Sequence, residues 1–183
     1  MTDFDHVLSC AREGDEDALT VLYRSIYPGF LRYARAVAPS TAEDIAADAW
    51  LDVARSLDRF RGDEPDFRAW AFTIVRRRHL DRRRSSARRR TEPVDPAELT
   101  DPLAVGDVEE DALASLGASW AIRLITTSLS RDQAEVVLLR VLGDLSVEQV
   151  AAIMGKRSGT IRVLQHRGLR RLAEALRRQG VTR

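Results

Sequence analysis

The segment from Leu145 to Leu172 constrains the local fold more than any other part of the chain. Two helices that cross at a tight turn need a small residue at the crossing, which Ala151 supplies. Four residues later the turn needs a residue that tolerates a positive φ, and Gly155 stands at that position. Six residues further, Ile161 can pack the second helix against the first. The spacing therefore predicts a helix-turn-helix.

The outward face of the second helix carries side chains that suit DNA. Arginine pairs with guanine or phosphate, glutamine pairs with adenine, and an aliphatic group contacts the thymine methyl. Ser158 is placed to cap this helix, and Lys156 replaces the aliphatic residue usual after the turn, so we expect it to extend towards solvent or the turn to pack less tightly. The alternative is a helical hairpin whose basic face is only solvated. The predicted DNA-binding residues are Ser158, Thr160, Arg162, Val163, Gln165, His166, Arg167, Arg170 and Arg171.

Charge is distributed unevenly along the chain, although the formal net charge is only +1. Nine arginines and a single acid, Asp81, lie between residues 76 and 90, whereas residues 92–111 carry eight acids and no base. Such blocks cancel in the sum but create opposed local fields, and a local basic patch attracts phosphate. The net charge therefore does not argue against a nucleic-acid partner.

Helical periodicity dominates on both sides of the acidic block, and no strand pattern of any length is present. We expect an all-α fold with two small helical domains, 1–91 and 112–183, joined by a flexible acidic linker, 92–111. The second domain is predicted to be a helix-turn-helix domain of the winged-helix-like type. Two capping boxes, Ser130 with Gln133 and Ser146 with Gln149, predict helix starts within it. Because the linker carries no periodic apolar face, we expect the two domains to be loosely placed in the free protein.

Other features narrow the function. No apolar run approaches the length of a membrane span, and the opening MTDFD lacks the basic start of a signal peptide, so we expect a cytoplasmic protein without membrane insertion. The single cysteine, Cys10, excludes an internal disulfide and a cysteine-built zinc site. There is no Gly-rich phosphate loop after a strand, no metal cluster and no nucleophile with a partner base. We therefore predict neither an enzyme nor a cofactor.

Three segments resemble the extracytoplasmic-function (ECF) group of sigma-70-type RNA polymerase sigma factors. SLSRDQAEVVLLRVLGDLSVEQVAAIMGKRSGTIRVLQHRGLRRLAEAL resembles their carboxy-terminal domain, which reads the minus-thirty-five promoter element. ALTVLYRSIYPGFLRYARAVAPSTAEDIAADAWLDVARSLDRF resembles the first part of their amino-terminal domain, and DFRAWAFTIVRRRHLDRRR resembles its last helix. The resemblance implies a protein that binds core RNA polymerase and promoter DNA. It also implies the possibility of control by an anti-sigma factor.

The loop Asp58–Phe67 and the helix after it correspond to the family's reader of the minus-ten element. Holding a separated strand requires stacking surfaces for flipped bases and cations for phosphates. For Phe67 and Trp70, packing in the core is favoured over base contact. Arg77 stands where the family usually has asparagine, so the minus-ten base preference is not carried over. The predicted minus-ten residues are Arg59, Phe60, Arg61, Phe67, Trp70, Arg76 and Arg77.

An acidic stripe recurs every four residues on the helix that the family uses to bind polymerase. An acidic face suits a basic partner, and the alternatives are a merely solvated face or, less favoured, a metal site. The predicted polymerase-binding residues are Asp44, Ile45, Asp48, Leu51 and Asp52. A second function stays open: a stand-alone transcriptional regulator that binds duplex DNA as a dimer. It would explain the carboxy-terminal part of the chain but not the amino-terminal part, and co-purification with core polymerase would separate the two.

Overall fold

The computed structural model describes residues 3–89, 112–178 and 180. The predicted linker, 92–111, lies outside the described residues. The described residues form α-helices and two short 3₁₀ turns, at Pro39–Thr41 and Leu57–Arg59, and contain no strand. The helices are α1 (Asp3–Arg12), α2 (Glu16–Val37), α3 (Ala42–Ser56), α4 (Glu64–Arg89), α5 (Ala112–Ser128), α6 (Arg131–Leu142), α7 (Val147–Met154) and α8 (Ser158–Arg178). The all-α prediction is confirmed, without any strand for a wing in the described part of the carboxy-terminal half.

The amino-terminal half, residues 3–89, is a bundle in which α2, α3 and α4 contact one another. Asp15 begins α2 by accepting a 2.7 Å hydrogen bond from the backbone N–H of Ala18, which satisfies one of the donors left free at a helix start. Helix α4 begins earlier than the sequence suggested, because Pro65 fits the first turn, where its missing N–H costs nothing. The bundle buries aromatic and branched side chains at its centre: Phe30, Tyr33, Ile45, Val53, Phe72 and Val75.

The carboxy-terminal half, residues 112–178, contains the helix-turn-helix formed by α7 and α8. Both predicted capping boxes are present, at the starts of α6 and α7. Gly155 ends α7 with a φ of 63°, the left-handed conformation for which glycine was predicted. Ala151 and Ile161 are buried at the contact between the two helices. Helix α8 begins at Ser158 itself, so this residue belongs to the first turn instead of preceding it.

The two halves pack against each other, with α2 contacting α5 and α6, and α4 contacting α7. One continuous core joins Phe30 and Phe72 of the amino-terminal half to Leu139, Leu145 and Ile161 of the other half. Gly29 permits close approach here, because a Cβ atom at its position would lie 3.0 Å from the carbonyl oxygen of Leu142. The structure therefore differs from the expected loose placement: apolar faces on α2 and α6 are buried against each other. Among the described residues, no helix is long and apolar enough to cross a membrane.

Candidate functional surfaces

The outer face of α8 is open to solvent. Arg162, Val163, His166, Arg167 and Arg170 are all exposed. Thr160 and Arg171 are exposed as well, while Gln165 and Ser158 are half-buried. The inner face is held by buried Ile161 and by Gly168, where an added Cβ atom would lie 3.4 Å from the Val137 side chain. The helix thus presents its polar side outward on a fixed base, as a helix that enters a DNA groove must.

Several arginines of this face already have intramolecular partners. Arg162 lies 2.9 Å from Glu148 on α7, and Arg170 lies 3.1 Å from Glu174 one turn along α8. Arg171 donates to the Gln133 side-chain oxygen at 3.1 Å. The first two pairs are exposed, and such pairs contribute only about 0–1 kcal/mol. DNA phosphates or bases can therefore replace these carboxylates at little cost.

Lys156, the unusual residue after the turn glycine, reaches back to α6. Its ammonium nitrogen lies 3.0 Å from a carboxylate oxygen of Asp132. A charge pair thus connects the turn between α7 and α8 to α6, where this motif normally has an aliphatic contact. The side chain is partly exposed, and its ammonium group is paired with a carboxylate instead of extending freely into solvent.

The aromatic residues of the predicted minus-ten reader are packed mostly against one another. Phe67 is 1% exposed and Phe60 is 5% exposed. The ring centroids of Phe60 and Trp70 are 5.1 Å apart, and those of Phe4 and Phe67 are 5.6 Å apart. Phe60 and Phe67 are therefore core residues in this structure, and stacking a base on either would require the cluster to open. Trp70 and Phe4 keep partial exposure, and of these two only Trp70 belongs to the predicted minus-ten residues.

The backbone of the loop between α3 and α4 is held in place by an arginine that no sequence motif indicated. Arg12 of α1 donates to the carbonyl oxygens of Leu57 at 3.3 Å and Phe60 at 2.6 Å. Gly62 has a φ of 144°, and a Cβ atom there would lie 2.7 Å from Asp66. These contacts give the loop a defined backbone conformation. Arg59 and Arg61 are exposed on its outer side.

Arg77 lies on the exposed side of α4, whereas Arg76 does not. Arg77 is 3.8 Å from Asp81 and remains largely accessible. Arg76 points towards the carboxy-terminal half, where its Nε donates to Glu135 at 2.7 Å. In this arrangement Arg76 is not available to a DNA phosphate, which corrects its predicted placement on the minus-ten surface.

The acidic stripe on α3 is paired with arginines within the bundle. Asp52 accepts two 2.5 Å bonds from Arg78, and Arg82 lies 3.0 Å from Asp44 and 2.9 Å from Asp48. The hydrogen bonds that Arg78 donates to Asp52 raise the pKa of the Arg78 guanidinium above its ordinary value. The arginines of α4 thus bind the stripe, a pairing between helices that charge periodicity on one helix does not reveal.

The two apolar residues predicted to contact polymerase lie in opposite environments. Ile45 is 0% exposed and belongs to the core, so its side chain is not on the surface; this corrects its predicted position. Leu51 is 47% exposed. The reason is helical geometry: Ile45 lies on the face of Ala49, which packs on α2 and α4, and Leu51 lies away from it.

A polar contact buried between the two halves was not found from the sequence. Glu135, on α6, is 7% exposed and accepts hydrogen bonds from Arg76 at 2.7 Å and from the Tyr33 hydroxyl at 3.3 Å. Burial, and then the charge of Glu135, raises the pKa of Tyr33, so the hydroxyl stays protonated and donates. The sequence does hold one signal for this contact: Glu135 is a single acid inside the apolar run AEVVLL. A charged residue on a buried helix face requires a partner of opposite charge or a hydrogen-bond donor.

A cavity of about 340 Å³ adjoins this contact and is lined by His79, Arg83, Arg131 and Glu135, together with apolar residues of α2 and α6, Thr126 of α5 and Leu129. Burial lowers the pKa of His79, Arg131 and Arg76 lower it further, and Glu135 opposes them. The imidazole is therefore neutral at pH 7. Its Nδ1 atom has no hydrogen-bond partner among the described residues. The described residues hold no group of three or more side chains suited to a metal ion.

The comparisons match both halves to one class of protein. Residues 22–89 match the family model for sigma-70 region 2, and residues 119–172 match the model for sigma-70 region 4. These ranges fall on the bundle with its aromatic loop and on the helix-turn-helix with its open basic face. The fold and surfaces therefore define a sigma factor, a protein that directs transcription initiation.

Sequence relatives give the particular group. The chain is 35% identical over 168 residues to the ECF RNA polymerase sigma factor BldN of Streptomyces coelicolor, covering 91% of this chain and 63% of that protein. It is 31% identical to ShbA of Streptomyces griseus, covering 88% and 89%, and 29% identical to SigD of Mycobacterium tuberculosis, covering 94% and 83%. The chain belongs to the ECF sigma factors.

Solved structures agree on the fold. CnrH, in complex with the cytosolic domain of CnrY, is similar with a TM-score of 0.63 at 21% identity, over 93% of this chain and 94% of that one. RpoE of Bartonella quintana, in complex with the anti-sigma factor NepR, has a TM-score of 0.66 at 24% identity, over 86% and 96%.

Proposed function

We propose that this sigma factor binds core RNA polymerase and reads promoters in two parts. Helix α8 enters the major groove of the minus-thirty-five element, and the loop between α3 and α4 holds the opened minus-ten strand. The observation that carries the proposal is the open polar face of α8, fixed on a buried inner side. The match of residues 22–89 to region 2 disfavours the stand-alone dimeric regulator, which gives that half no role.

In this proposal the residues of α8 divide by what they contact. Arg162, Val163 and Gln165 face the groove and read base edges, while Arg170 and Arg171 contact phosphates. The remaining predicted residues, Ser158, Thr160, His166 and Arg167, position the helix on the backbone. Replacing Arg162 or Gln165 by alanine should change the preference at individual promoter positions by about 1–3 kcal/mol.

The matched comparison uses the arginines assigned to phosphate. Arg170→Ala should weaken binding to all minus-thirty-five sequences alike and reduce the salt dependence by about one unit of log–log slope. Binding is measured by fluorescence anisotropy against a set of duplexes that differ at single positions. If Arg162→Ala and Arg170→Ala both act uniformly, the base-reading assignment is wrong.

For the minus-ten strand, the accessible groups are Trp70 and the cations Arg59, Arg61 and Arg77. We propose that Trp70 offers the stacking surface in the closed cluster, and that Phe60 and Phe67 support it from below. Aromatic stacking contributes about 1–3 kcal/mol per base. Trp70→Leu should therefore weaken binding to a single-stranded minus-ten oligonucleotide and leave a minus-thirty-five duplex unaffected. Equal affinity for the oligonucleotide would remove Trp70 from the site.

For polymerase, we propose that the α3 surface around exposed Leu51 docks on the core enzyme, flanked by Asp44, Asp48 and Asp52. The carboxylates keep lone pairs on their outer sides although they bind Arg78 and Arg82.

The protein acts by binding and not by catalysis, and it works in the cytoplasm, where its DNA is. An anti-sigma factor is a further proposed partner, supported by the NepR complex of the similar protein RpoE.

A further inference from the structure

Two arginines on the outer face of α8 have carboxylate partners of different kinds. The Nη2 atom of Arg162 donates to Oε1 of Glu148 on α7 at 2.9 Å, and these two residues are 14 positions apart in the sequence. Arg170, about two turns further along α8, donates to Glu174 of the same helix at 3.1 Å. The second pair is a contact between neighbouring turns of one helix. Only the first pair fixes a side chain of α8 relative to α7.

Arg162 stands in the part of α8 that meets base edges. In a helix-turn-helix, residues near the start of the second helix contact the bases, and Arg162 is the fifth residue of α8. Glu148, in the first turn of α7, lies beside it. A carboxylate here repels DNA phosphates, so its own charge weakens binding. An acid also suits the first turn of a helix, but that effect does not depend on Arg162 and changes no base preference.

The pair does not prevent Arg162 from reading a base. A guanidinium carries five N–H donors in a planar fork, and the bond to Glu148 uses one of them. Two parallel bonds from arginine to O6 and N7 of guanine are the commonest base-specific contact in the major groove. Arg162 can therefore bind guanine through one edge of the fork while Glu148 holds the other.

The pair becomes more important when DNA is bound. In the free protein the side chains of Arg162 and Glu148 are 65% and 64% exposed, so water makes their attraction weak. At a DNA interface water is displaced, and the attraction between the two charges strengthens. An arginine without such a partner can turn to the phosphates that line the groove, and phosphate contacts carry no sequence information. Disfavouring those contacts raises specificity, because specificity is a difference between affinities.

We propose that Glu148 is a positioning residue for promoter reading: its carboxylate holds the Arg162 guanidinium towards a guanine of the minus-thirty-five element and keeps it from the phosphates. The proposal rests on the proposed function, in which Arg162 reads a base. The base preference at that position is then set by the pair and not by Arg162 alone.

A double-mutant cycle tests the proposal in the full-length chain assembled with core polymerase. The proteins are wild type, Glu148→Ala, Arg162→Ala and the double variant. The matched control is Glu174→Ala, which removes a carboxylate of the same kind from Arg170. Relative affinities are measured by competition among promoter duplexes that each differ at one base pair of the minus-thirty-five element, and thermal unfolding verifies that each variant is folded.

The deciding quantity is the affinity ratio between guanine and the other bases at each position. Arg162→Ala should remove the preference at one position, where a good bidentate contact gives roughly 5- to 150-fold discrimination. Glu148→Ala should reduce the ratio at that same position by at least about threefold, and it should have no effect on the ratio when Arg162 is already alanine. Both Glu148→Ala and Glu174→Ala should raise the affinity for all duplexes, since each removes a negative charge near DNA, but Glu174→Ala should leave every ratio unchanged.

The outcomes separate failure of this inference from failure of the proposed function. If Arg162→Ala lowers the ratio at one position but Glu148→Ala does not, the positioning role is wrong and base reading by α8 stands. If Glu148→Ala has the same effect on the ratio with and without Arg162, the carboxylate acts independently of the arginine, and the positioning role is again wrong. If Arg162→Ala leaves every ratio unchanged, the proposed base-reading role of Arg162 fails and the role of Glu148 fails with it.

Discussion

Gly29 gives a stability test of the packing between the halves. It lies inside α2, where alanine would normally stabilise a helix by about 1 kcal/mol relative to glycine. A Cβ atom there would lie 3.0 Å from the carbonyl oxygen of Leu142, in the other half, and 3.1 Å from Cζ of buried Phe72. Neither neighbour is free to move, because one is backbone and the other is a core ring.

Overpacking of this kind costs about 1–3 kcal/mol, and two fixed neighbours place Gly29→Ala in the upper part of that range. Subtracting the helix gain of about 1 kcal/mol leaves a net loss of about 1–2 kcal/mol in the free energy of unfolding. The matched control is Gly117→Ala in α5, where a Cβ atom would meet nothing within 4 Å. That variant should be more stable than wild type by up to about 1 kcal/mol.

Urea unfolding followed by circular dichroism measures both variants. The two substitutions should have opposite signs although each replaces a helical glycine by alanine. If Gly29→Ala is as stabilising as Gly117→Ala, the carbonyl of Leu142 is not held against α2, and the packed arrangement of the halves is wrong.

Three further predictions concern pH, polymerase and the loop. The pKa of His79 is lowered in the folded protein, so the unfolded chain binds more protons, and the free energy of unfolding should fall as the pH drops through 6.5. Denaturant titrations at several pH values measure this dependence, and the part due to His79 should disappear in His79→Gln. Leu51→Ser should weaken association with core polymerase and change the free energy of unfolding by no more than about 0.5 kcal/mol, whereas Asp52→Asn should also destabilise the bundle because Arg78 loses its partner. Equal core affinity for wild type and Leu51→Ser would show that this face of α3 contacts only solvent. Arg12→Met should increase amide hydrogen exchange in the loop around Phe60, and unchanged exchange would show that its two carbonyl contacts do not hold the loop.

Local signals predicted much of the carboxy-terminal half. The capping boxes at Ser130 and Ser146, the left-handed Gly155 and the buried Ile161 each depend on residues within a few positions, where spacing determines geometry. The open face of α8 followed from the same periodicity. Its role in reading bases stays a prediction.

The contacts between distant helices were not predictable in this way. Arg76 and Glu135 are 59 residues apart, and nothing in either local sequence says which charge the other will meet. The acidic stripe illustrates the same limit, because its spacing on α3 is regular whether the facing partner is solvent, polymerase or, as observed, Arg78 and Arg82 of α4. Ile45 was misplaced because an apolar residue next to an acidic stripe can lie on either side of the boundary between the buried and exposed faces.

Promoter-directed transcription with purified core polymerase tests the central claim most directly. Core enzyme alone and core enzyme with this chain are given a library of promoter fragments, and the transcript starts are mapped by sequencing. We predict that transcripts appear at defined positions only when the chain is present, downstream of shared minus-ten and minus-thirty-five elements, and that Arg162→Ala redistributes them among minus-thirty-five variants. Transcripts that are identical with and without the chain would contradict its assignment as a promoter-specificity subunit.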